Sequence, residues 1–158
     1  MTQDGPTEGA SKRARIIGAG RYVPERVLTN ADLAAMVDTS DGWIVDRTGI
    51  RERRIAADTE STSTMAAEAA RRALASAQMS AADIDLIITG TCTPDGMFPA
   101  VSTLVQHAIG APRHVAAFDV NAACNGFVSA LGTAKQFIAS GQSRRALVIG
   151  AETFSRIV

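Results

Sequence analysis

The chain has 158 residues, of which 46% are hydrophobic and 20% charged, a composition typical of a globular domain with a real core. Its 16 basic and 16 acidic residues cancel, so no charge-driven attraction to nucleic acid or to a membrane surface is indicated. No apolar run is long enough to cross a bilayer and the N-terminus lacks the apolar core of a secretory signal, which predicts a soluble protein.

The first predicted elements along the chain are short. Residues 1–14 are expected to be a disordered leader, with a single domain over residues 15–158. The stretch ARIIGAGRYVP, residues 14–24, predicts a short strand. Asn30 is a favourable N-cap for the short helix ADLAAMVD, and Ser40 and Gly49 predict the start and stop of the next helix.

Further along, apolar stretches alternate with helical patterns. A Ser/Thr cluster precedes a helix over residues 65–78, whose apolar stripe is expected at Met65, Ala69, Ala73 and Ala77. A second helix is expected between Pro99 and Gly110, and a third from Cys124 to Ser140. The stretches IDLIITGTC, HVAAFDV and RALVIGAE predict strands that are buried on both faces. This alternation predicts an α/β fold with a mostly parallel sheet covered by helices.

The position of Cys124 is the most informative one for function. In such a sheet, functional residues gather at the carboxyl ends of the strands, where Cys124 and Cys92 both fall. The unpaired N–H groups and positive dipole end of a helix N-terminus stabilise a thiolate, so Cys124 is well placed as a nucleophile. The backbone of residues 124–126 could hold an oxyanion, and the small side chain of Gly126 could admit a substrate. The structural alternative for either cysteine is a packed thiol, and two cysteines without a disulfide framework predict a cytoplasmic location.

Several separated motifs carry a family resemblance. DVNAACNGFVSAL resembles the nucleophile motif of β-ketoacyl-acyl-carrier-protein synthase III, a thiolase-fold condensing enzyme of fatty acid synthesis. The stretch from IIGAGRYVP to GIRERRIA, together with TMAAEAARRAL, DIDLIITGTCTPDGMFPA and ALVIGAE, continues the family's order and spacing. The resemblance implies a thiolase-like fold, of which residues 15–158 would be the N-terminal half of the duplicated βαβαβ arrangement. The apolar end of the chain also suggests a longer protein.

The resemblance implies a reaction with Cys124 as its catalytic residue. Cys124 would take a short acyl group from an acyl-CoA primer and form a thioester. A malonyl group on acyl carrier protein would then lose carbon dioxide and attack that thioester, which gives a 3-oxoacyl product. The resemblance also implies that the supporting histidine and asparagine come from the second half of the fold, beyond residue 158. His107 and His114 fit solvated or capping positions better than catalytic ones. No metal or cofactor is implied.

The same resemblance implies residues for primer binding. Thr39, Trp43 and Arg47 match family positions that bind the CoA nucleotide, since an indole can stack on adenine and a guanidinium can bind phosphate. The structural alternative is a tryptophan that anchors a short helix beside a surface arginine. Phe98 matches a position that shapes the primer pocket of the neighbouring subunit, so a homodimer is expected. The run Arg51 to Arg54 is expected to be a solvated face and not a nucleic-acid patch.

Two alternatives to this function stay open at the level of sequence. One is a different thiolase-like condensing enzyme, of a polyketide or hydroxymethylglutaryl-CoA pathway. The other is a non-catalytic truncated copy that acts only through dimerisation. The motif around Trp43 favours the synthase III type over the first, and acylation of Cys124 would separate it from the second.

Overall fold

The computed structural model describes residues 13–157, so most of the expected leader, residues 1–12, lies outside the described part. The helices and strands in chain order are β1 Arg26–Thr29, α1 Asn30–Ala34, α2 Asp41–Thr48, β2 Glu52–Ile55, α3 Thr62–Ser76, β3 Leu86–Gly90, α4 Val101–Ile109, β4 Ala116–Val120, α5 Gly126–Ala139 and β5 Ala146–Gly150. Single 3-10 turns occur at Ala81–Asp83, Ala123–Asn125 and Phe154–Arg156.

A parallel sheet of three strands, in the order β4–β3–β5, forms the centre of the fold. Leu86 lies opposite Ala116 on one side and Ala146 on the other, and this register continues to the ends of the strands. The strands β1 and β2 form a separate antiparallel ribbon. The predicted α/β architecture with a parallel sheet is therefore confirmed.

Helices cover both faces of this sheet, and successive residues of β3 point to opposite sides. Ile87 packs with Leu147 and Ile149 against α3 and α4. Leu86 and Ile88 pack on the other face against Ala130 and Ala134 of α5. All five residues of β3 are buried, as its continuous apolar sequence predicts. The strands β4 and β5 are only partly buried, contrary to the prediction, because they lie at the two edges of the described sheet.

The predicted ends of the helices are mostly correct. The Ser40 hydroxyl accepts a hydrogen bond from the Trp43 N–H, and Gly49 and Gly110 end their helices in the left-handed conformation. The N-cap of α1 is Thr29 and not Asn30. Asn30 is buried instead: its amide nitrogen donates to an Asp41 carboxylate oxygen at 2.7 Å and to the Ile50 carbonyl at 2.8 Å.

Two other predictions near the N-terminus are wrong. Residues 14–24 form no strand, because this segment packs on α3 and is separated from the edge of β5 by an apolar cleft of about 830 Å³. The helix α3 begins earlier than predicted, after the N-cap Ser61. Of its predicted apolar stripe only Met65 is buried, whereas Ala69, Ala73 and Ala77 are partly buried. The buried apolar residues of α3 are Met65, Ala66, Ala67, Ala70 and Leu74.

Candidate active site

The carboxyl ends of the three parallel strands lie at one edge of the sheet, and a chemically active side chain follows each of them. Cys92 comes two residues after β3, Cys124 four residues after β4, and Glu152 two residues after β5. Cys124 is exposed and Cys92 is partly buried. This edge is where an open parallel sheet binds its ligands, so it is the candidate site.

The backbone around Cys124 forms a sharp bend. Cys124 lies in the 3-10 turn Ala123–Asn125, and α5 begins only at Gly126, so the predicted helix from Cys124 starts two residues too early. Ala123 has a φ of +45°, a conformation that side chains other than glycine rarely adopt. The bend presents the Cys124 side chain to solvent at the end of the strand and just ahead of the helix.

The backbone of residues 124–126 was expected to hold an oxyanion, but two of its three N–H groups already donate hydrogen bonds within the turn. The Asn125 N–H donates to the Ala122 carbonyl at 3.0 Å, and the Gly126 N–H donates to the Ala123 carbonyl. The described hydrogen bonds include none from the Cys124 N–H. The Cys124 N–H is therefore the group of these three that is available to a developing oxyanion.

The small residue Gly126 has a packing role that the sequence did not predict. Its backbone crosses that of Gly90 so closely that a Cβ atom on Gly90 would lie 2.4 Å from the Gly126 carbonyl carbon. Gly126 is buried, and the expectation that it opens space for a substrate is not supported. The two glycines instead allow the first turn of α5 to lie directly on the end of β3, which fixes the point at which α5 begins.

Glu152 ties the ends of β3 and β5 together. Its carboxylate accepts hydrogen bonds from the Cys92 N–H at 2.9 Å, the Thr91 hydroxyl at 3.3 Å and the Thr93 hydroxyl. Burial raises the pKa of the Cys92 thiol, and a hydrogen bond and charge repulsion from Glu152 raise it further. Cys92 is therefore a protonated thiol at neutral pH.

The loop after β3 is fixed at both ends and exposed at its tip. Asp95 accepts hydrogen bonds from the Ser63 N–H at 2.9 Å and the Ser61 hydroxyl at 2.8 Å, at the N-terminus of α3. Asp119 of β4 accepts from the Val101 and Ser102 N–H groups at 2.7 and 2.8 Å, at the N-terminus of α4. The tip between these anchors carries Met97, which is 93% exposed, and Phe98, which is 82% exposed.

The predicted nucleotide-binding residues lie on and beside α2. The guanidinium carbon of Arg47 lies 4.8 Å from the centre of the Trp43 ring, and the indole is 56% exposed. Trp43 is therefore not a buried anchor of the helix. Thr39 precedes the N-cap and is partly buried. The structure brings Trp43 and Arg47 together, but no described hydrogen bond or ring contact links this pair with Cys124.

The remaining polar residues singled out in the sequence lie on the surface. His107 and His114 are both exposed. In the basic run, Arg53 donates to the Asn30 side chain at 2.9 Å and Arg54 pairs with Glu52 at 3.3 Å. Within residues 13–157 no cluster of three or more metal-ligating side chains occurs. None of the helices described over the same range is long and apolar enough to cross a membrane.

Three carboxylates that organise the site were missed by the sequence reasoning. Glu152 could have been found, because an acidic residue directly after a buried strand points to the functional edge of the sheet. Asp95 and Asp119 cap helices that are distant in sequence. Such contacts depend on the packing of the elements and leave no local pattern.

Comparisons with known proteins show similarity to one family of condensing enzymes. The family model of 3-oxoacyl-[acyl-carrier-protein] synthase III matches residues 118–158. A β-ketoacyl-[acyl-carrier-protein] synthase III of Paramagnetospirillum magneticum is 60% identical over 92% of the chain and 45% of its own length. The enzyme of that name from Xylella fastidiosa is 58% identical over 94% of the chain and 46% of its own length. The chain thus spans about half the length of these relatives.

Solved structures show the same fold. The 3-oxoacyl-[acyl-carrier-protein] synthase III of Aquifex aeolicus superposes with a TM-score of 0.86 and 52% identity, over 89% of the chain and 45% of that structure. The priming β-ketosynthase of the R1128 polyketide pathway gives a TM-score of 0.86 and 38% identity, over 95% of the chain and 45% of that structure. The fold of the chain is therefore the thiolase-like α/β fold of these enzymes.

Proposed function

We propose that this chain, which is similar to β-ketoacyl-[acyl-carrier-protein] synthase III and spans about half the length of those relatives, carries the acyl-loading nucleophile of a condensing enzyme that starts fatty acid synthesis. Cys124 takes a short acyl group from acyl-CoA: its sulfur attacks the thioester carbonyl and the CoA thiolate leaves. The complete protein then condenses this group with malonyl-acyl carrier protein, and releases carbon dioxide and 3-oxoacyl-acyl carrier protein. A cytoplasmic location is part of the proposal.

The observation that carries this proposal is the position of Cys124. The sulfur is exposed on a bent turn between the end of β4 and the first turn of α5, and the adjacent Cys124 N–H is free of a described acceptor. A nucleophile and an oxyanion donor thus lie in one residue, next to the positive end of a helix. We expect the histidine and asparagine that would support the condensation to lie in the part of the complete protein that this chain does not include.

Trp43 and Arg47, with Thr39, are proposed to bind the CoA nucleotide. The indole is exposed on the surface, which leaves it accessible to an adenine ring, and the guanidinium beside it can bind a phosphate as a planar fork. Asp46 is exposed on the same helix, but adjacent residues of a helix do not face each other, so its side chain lies off the face shared by Trp43 and Arg47. We expect the Arg47 side chain to leave the indole face when the nucleotide binds.

Phe98 is proposed to enter the primer pocket of a second copy, which makes the active protein a homodimer. The tip with Met97 and Phe98 buries almost nothing in its own chain, whereas Asp95 and Asp119 fix both ends of the loop. A fixed apolar projection of this kind is suited to a protein interface. In the full-length protein, Phe98→Asp is expected to shift sedimentation from dimer to monomer, and an unchanged dimer would contradict this role.

Acylation of Cys124 is the direct test of the function. The full-length protein and this chain are incubated with acetyl-CoA, and their intact masses are measured. We expect full-length protein to gain one acetyl group, Cys124→Ala to gain none, and Cys92→Ala to behave as the parent. A full-length protein that stays unmodified, or a Cys124→Ala variant that is still acetylated, would refute the nucleophile and leave the non-catalytic alternative.

The CoA site is tested by calorimetry, because Trp43 is the chain's sole tryptophan and its removal would also remove the fluorescence signal. Loss of one charge-assisted phosphate contact in Arg47→Ala is expected to weaken CoA binding about tenfold. Arg113→Ala, in the exposed turn between α4 and β4, is the matched control and is expected to bind as the parent does. Equal affinities of the two variants would exclude Arg47 from the site.

A second candidate function is the priming of a polyketide, which the similarity to the R1128 priming β-ketosynthase favours. The two functions share acyl loading on Cys124 and differ in the acyl carrier protein that accepts the acyl group. Competition between a fatty-acid and a polyketide acyl carrier protein, both loaded with malonate, separates them. Preference for the polyketide carrier would replace fatty acid synthesis in the proposal.

A further inference from the structure

Two cysteines lie at the same edge of the sheet. The parallel strands β3 and β4 pair up to Gly90 and Val120, and the Thr91 N–H extends the ladder with a 3.1 Å hydrogen bond to the Val120 carbonyl. Cys92 is the residue after Thr91, and Cys124 lies on the turn that follows Val120. Both thiols therefore belong to the loops at the carboxyl ends of two adjacent strands.

The chain after β4 returns to the end of β3, which keeps the two cysteines close. A Cβ atom placed on Gly126 would lie 3.4 Å from the Gly90 Cα and 3.7 Å from the Thr91 nitrogen. Because a Cβ atom lies about 1.5 Å from its Cα and consecutive Cα atoms are 3.8 Å apart, the Cys124 Cα is within roughly 13 Å of the Thr91 nitrogen.

We propose that Cys92 is the resolving thiol of Cys124, so that hydrogen peroxide converts the pair into an intramolecular disulfide and protects the nucleophile from irreversible oxidation. The proposal rests on the nucleophilic character assigned to Cys124 under the proposed function. Exposed thiolates are the thiols that peroxide oxidises first, and a neighbouring thiol stops the oxidation at the disulfide.

The chemistry balances in two steps. The Cys124 thiolate attacks one peroxide oxygen, an S–O bond forms, the O–O bond breaks and hydroxide leaves, which gives a sulfenic acid. The Cys92 sulfur then attacks the Cys124 sulfur; the S–S bond forms and the S–O bond breaks. The proton of the Cys92 thiol passes to the departing hydroxide and gives water.

The turn that carries Cys124 can close the remaining distance. A disulfide places its two Cα atoms about 4.4–6.8 Å apart. Residues Ala123, Cys124 and Asn125 are all exposed, and the turn is a single 3-10 turn with its hydrogen bonds to Ala122 and Ala123. Cys92 is held by Glu152, so the Cys124 turn is the partner that moves.

Intact mass and peptide mapping under non-reducing conditions test this inference on the chain itself. Dilute protein is treated with hydrogen peroxide, and the remaining thiols are blocked with N-ethylmaleimide. The parent chain is expected to lose two hydrogens and to yield a Cys92–Cys124 cross-linked peptide that dithiothreitol separates. Cys92→Ala is expected to gain two or three oxygens on Cys124, with at least about tenfold more of this irreversible product than the parent. Cys92→Ser is the second variant, in case Cys92→Ala fails to fold.

The outcomes are distinct from those of the acyl-loading test. Equal yields of over-oxidised Cys124 in the parent and in Cys92→Ala, or disulfides only between two chains, would overturn the resolving role. The rate at which iodoacetamide alkylates Cys124 in Cys92→Ala is measured in parallel. A Cys124 that reacts with iodoacetamide and acetyl-CoA but forms no internal disulfide refutes this inference alone. A Cys124 that reacts with none of hydrogen peroxide, iodoacetamide and acetyl-CoA refutes both this inference and the proposed function.

Discussion

At the scale of single residues, the site depends on backbone positions more than on unusual side chains. Ala123 adopts a φ of +45° beside Cys124, whereas its neighbour Ala122 has a φ of −136°. A left-handed conformation costs a residue with a Cβ atom about 1–2 kcal/mol. The chain therefore holds strain at the residue that precedes its proposed nucleophile, and strained residues are found at functional sites.

Glycine substitutions at Ala123 and Ala122 distinguish the relief of backbone strain from the loss of stability that glycine causes through its flexibility. Ala123→Gly is expected to raise the free energy of unfolding by up to about 1 kcal/mol, because glycine adopts a positive φ without steric cost. Ala122→Gly, at an ordinary φ, is expected to lower it by about 0.5–1 kcal/mol through added entropy of the unfolded chain. Urea denaturation of both variants measures the difference. If both glycines destabilise the chain equally, Ala123 is not strained.

At the scale of elements, the loop between β3 and α4 owes its position to carboxylates that cap helix ends. Asp95 lies at the N-terminus of α3, where hydrogen bonds from Ser63 and Ser61 lower its pKa although its burial alone would raise it. A carboxylate with a lowered pKa stabilises the fold above its ordinary value of 3.8, and this contribution disappears as the pH falls through the lower folded-state value. The loop is thus most firmly fixed near neutral pH.

Asp95→Asn tests this anchor. At pH 7 the loss of the charged cap is expected to cost about 1 kcal/mol of unfolding free energy. The difference from the parent is expected to shrink as the pH falls below 3.8, because the parent's Asp95 then also loses its charge. Asp38→Asn, at an exposed position that has no described side-chain hydrogen bond, is the control. A deficit in Asp95→Asn that is the same at pH 7 and pH 3 would contradict the electrostatic origin.

The elements also show which parts of the fold the sequence can predict. The continuous apolar run of β3 and the stops at Gly49 and Gly110 are local signals, and they predicted the sheet and the helix ends correctly. The prediction of a strand at residues 14–24 was wrong, because an apolar pattern does not show whether a partner strand lies beside the segment. The position of Cys124 at the strand end was predicted, but its separation from α5 depends on the Gly90–Gly126 contact, which only the folded chain contains.

At the scale of the whole molecule, the N-terminal segment, residues 14–24, makes its closest backbone contacts with α3. Gly18 and Gly20 pack on α3, and a Cβ atom on Gly20 would lie 2.3 Å from the Ala73 nitrogen and 2.4 Å from the Ala69 carbonyl oxygen. The other side of the segment faces the apolar cleft of about 830 Å³, where Phe127, Leu131 and Ile149 are among the lining residues. The attachment therefore depends on close backbone contact with α3, which only glycine permits at these positions.

Gly20→Ala is expected to release the segment without unfolding the sheet. The overlap with the α3 backbone costs about 1–3 kcal/mol, which increases the population of the detached segment about tenfold or more. Trypsin cleavage after Arg15 and Arg21 is expected to accelerate by a similar factor, because proteolysis follows the population of the open form. Gly42→Ala, where a Cβ atom would meet nothing within 4 Å, is the matched control and is expected to be cleaved at the parent rate. Equal cleavage of Gly20→Ala and the parent would show that the segment is not held by its contact with α3.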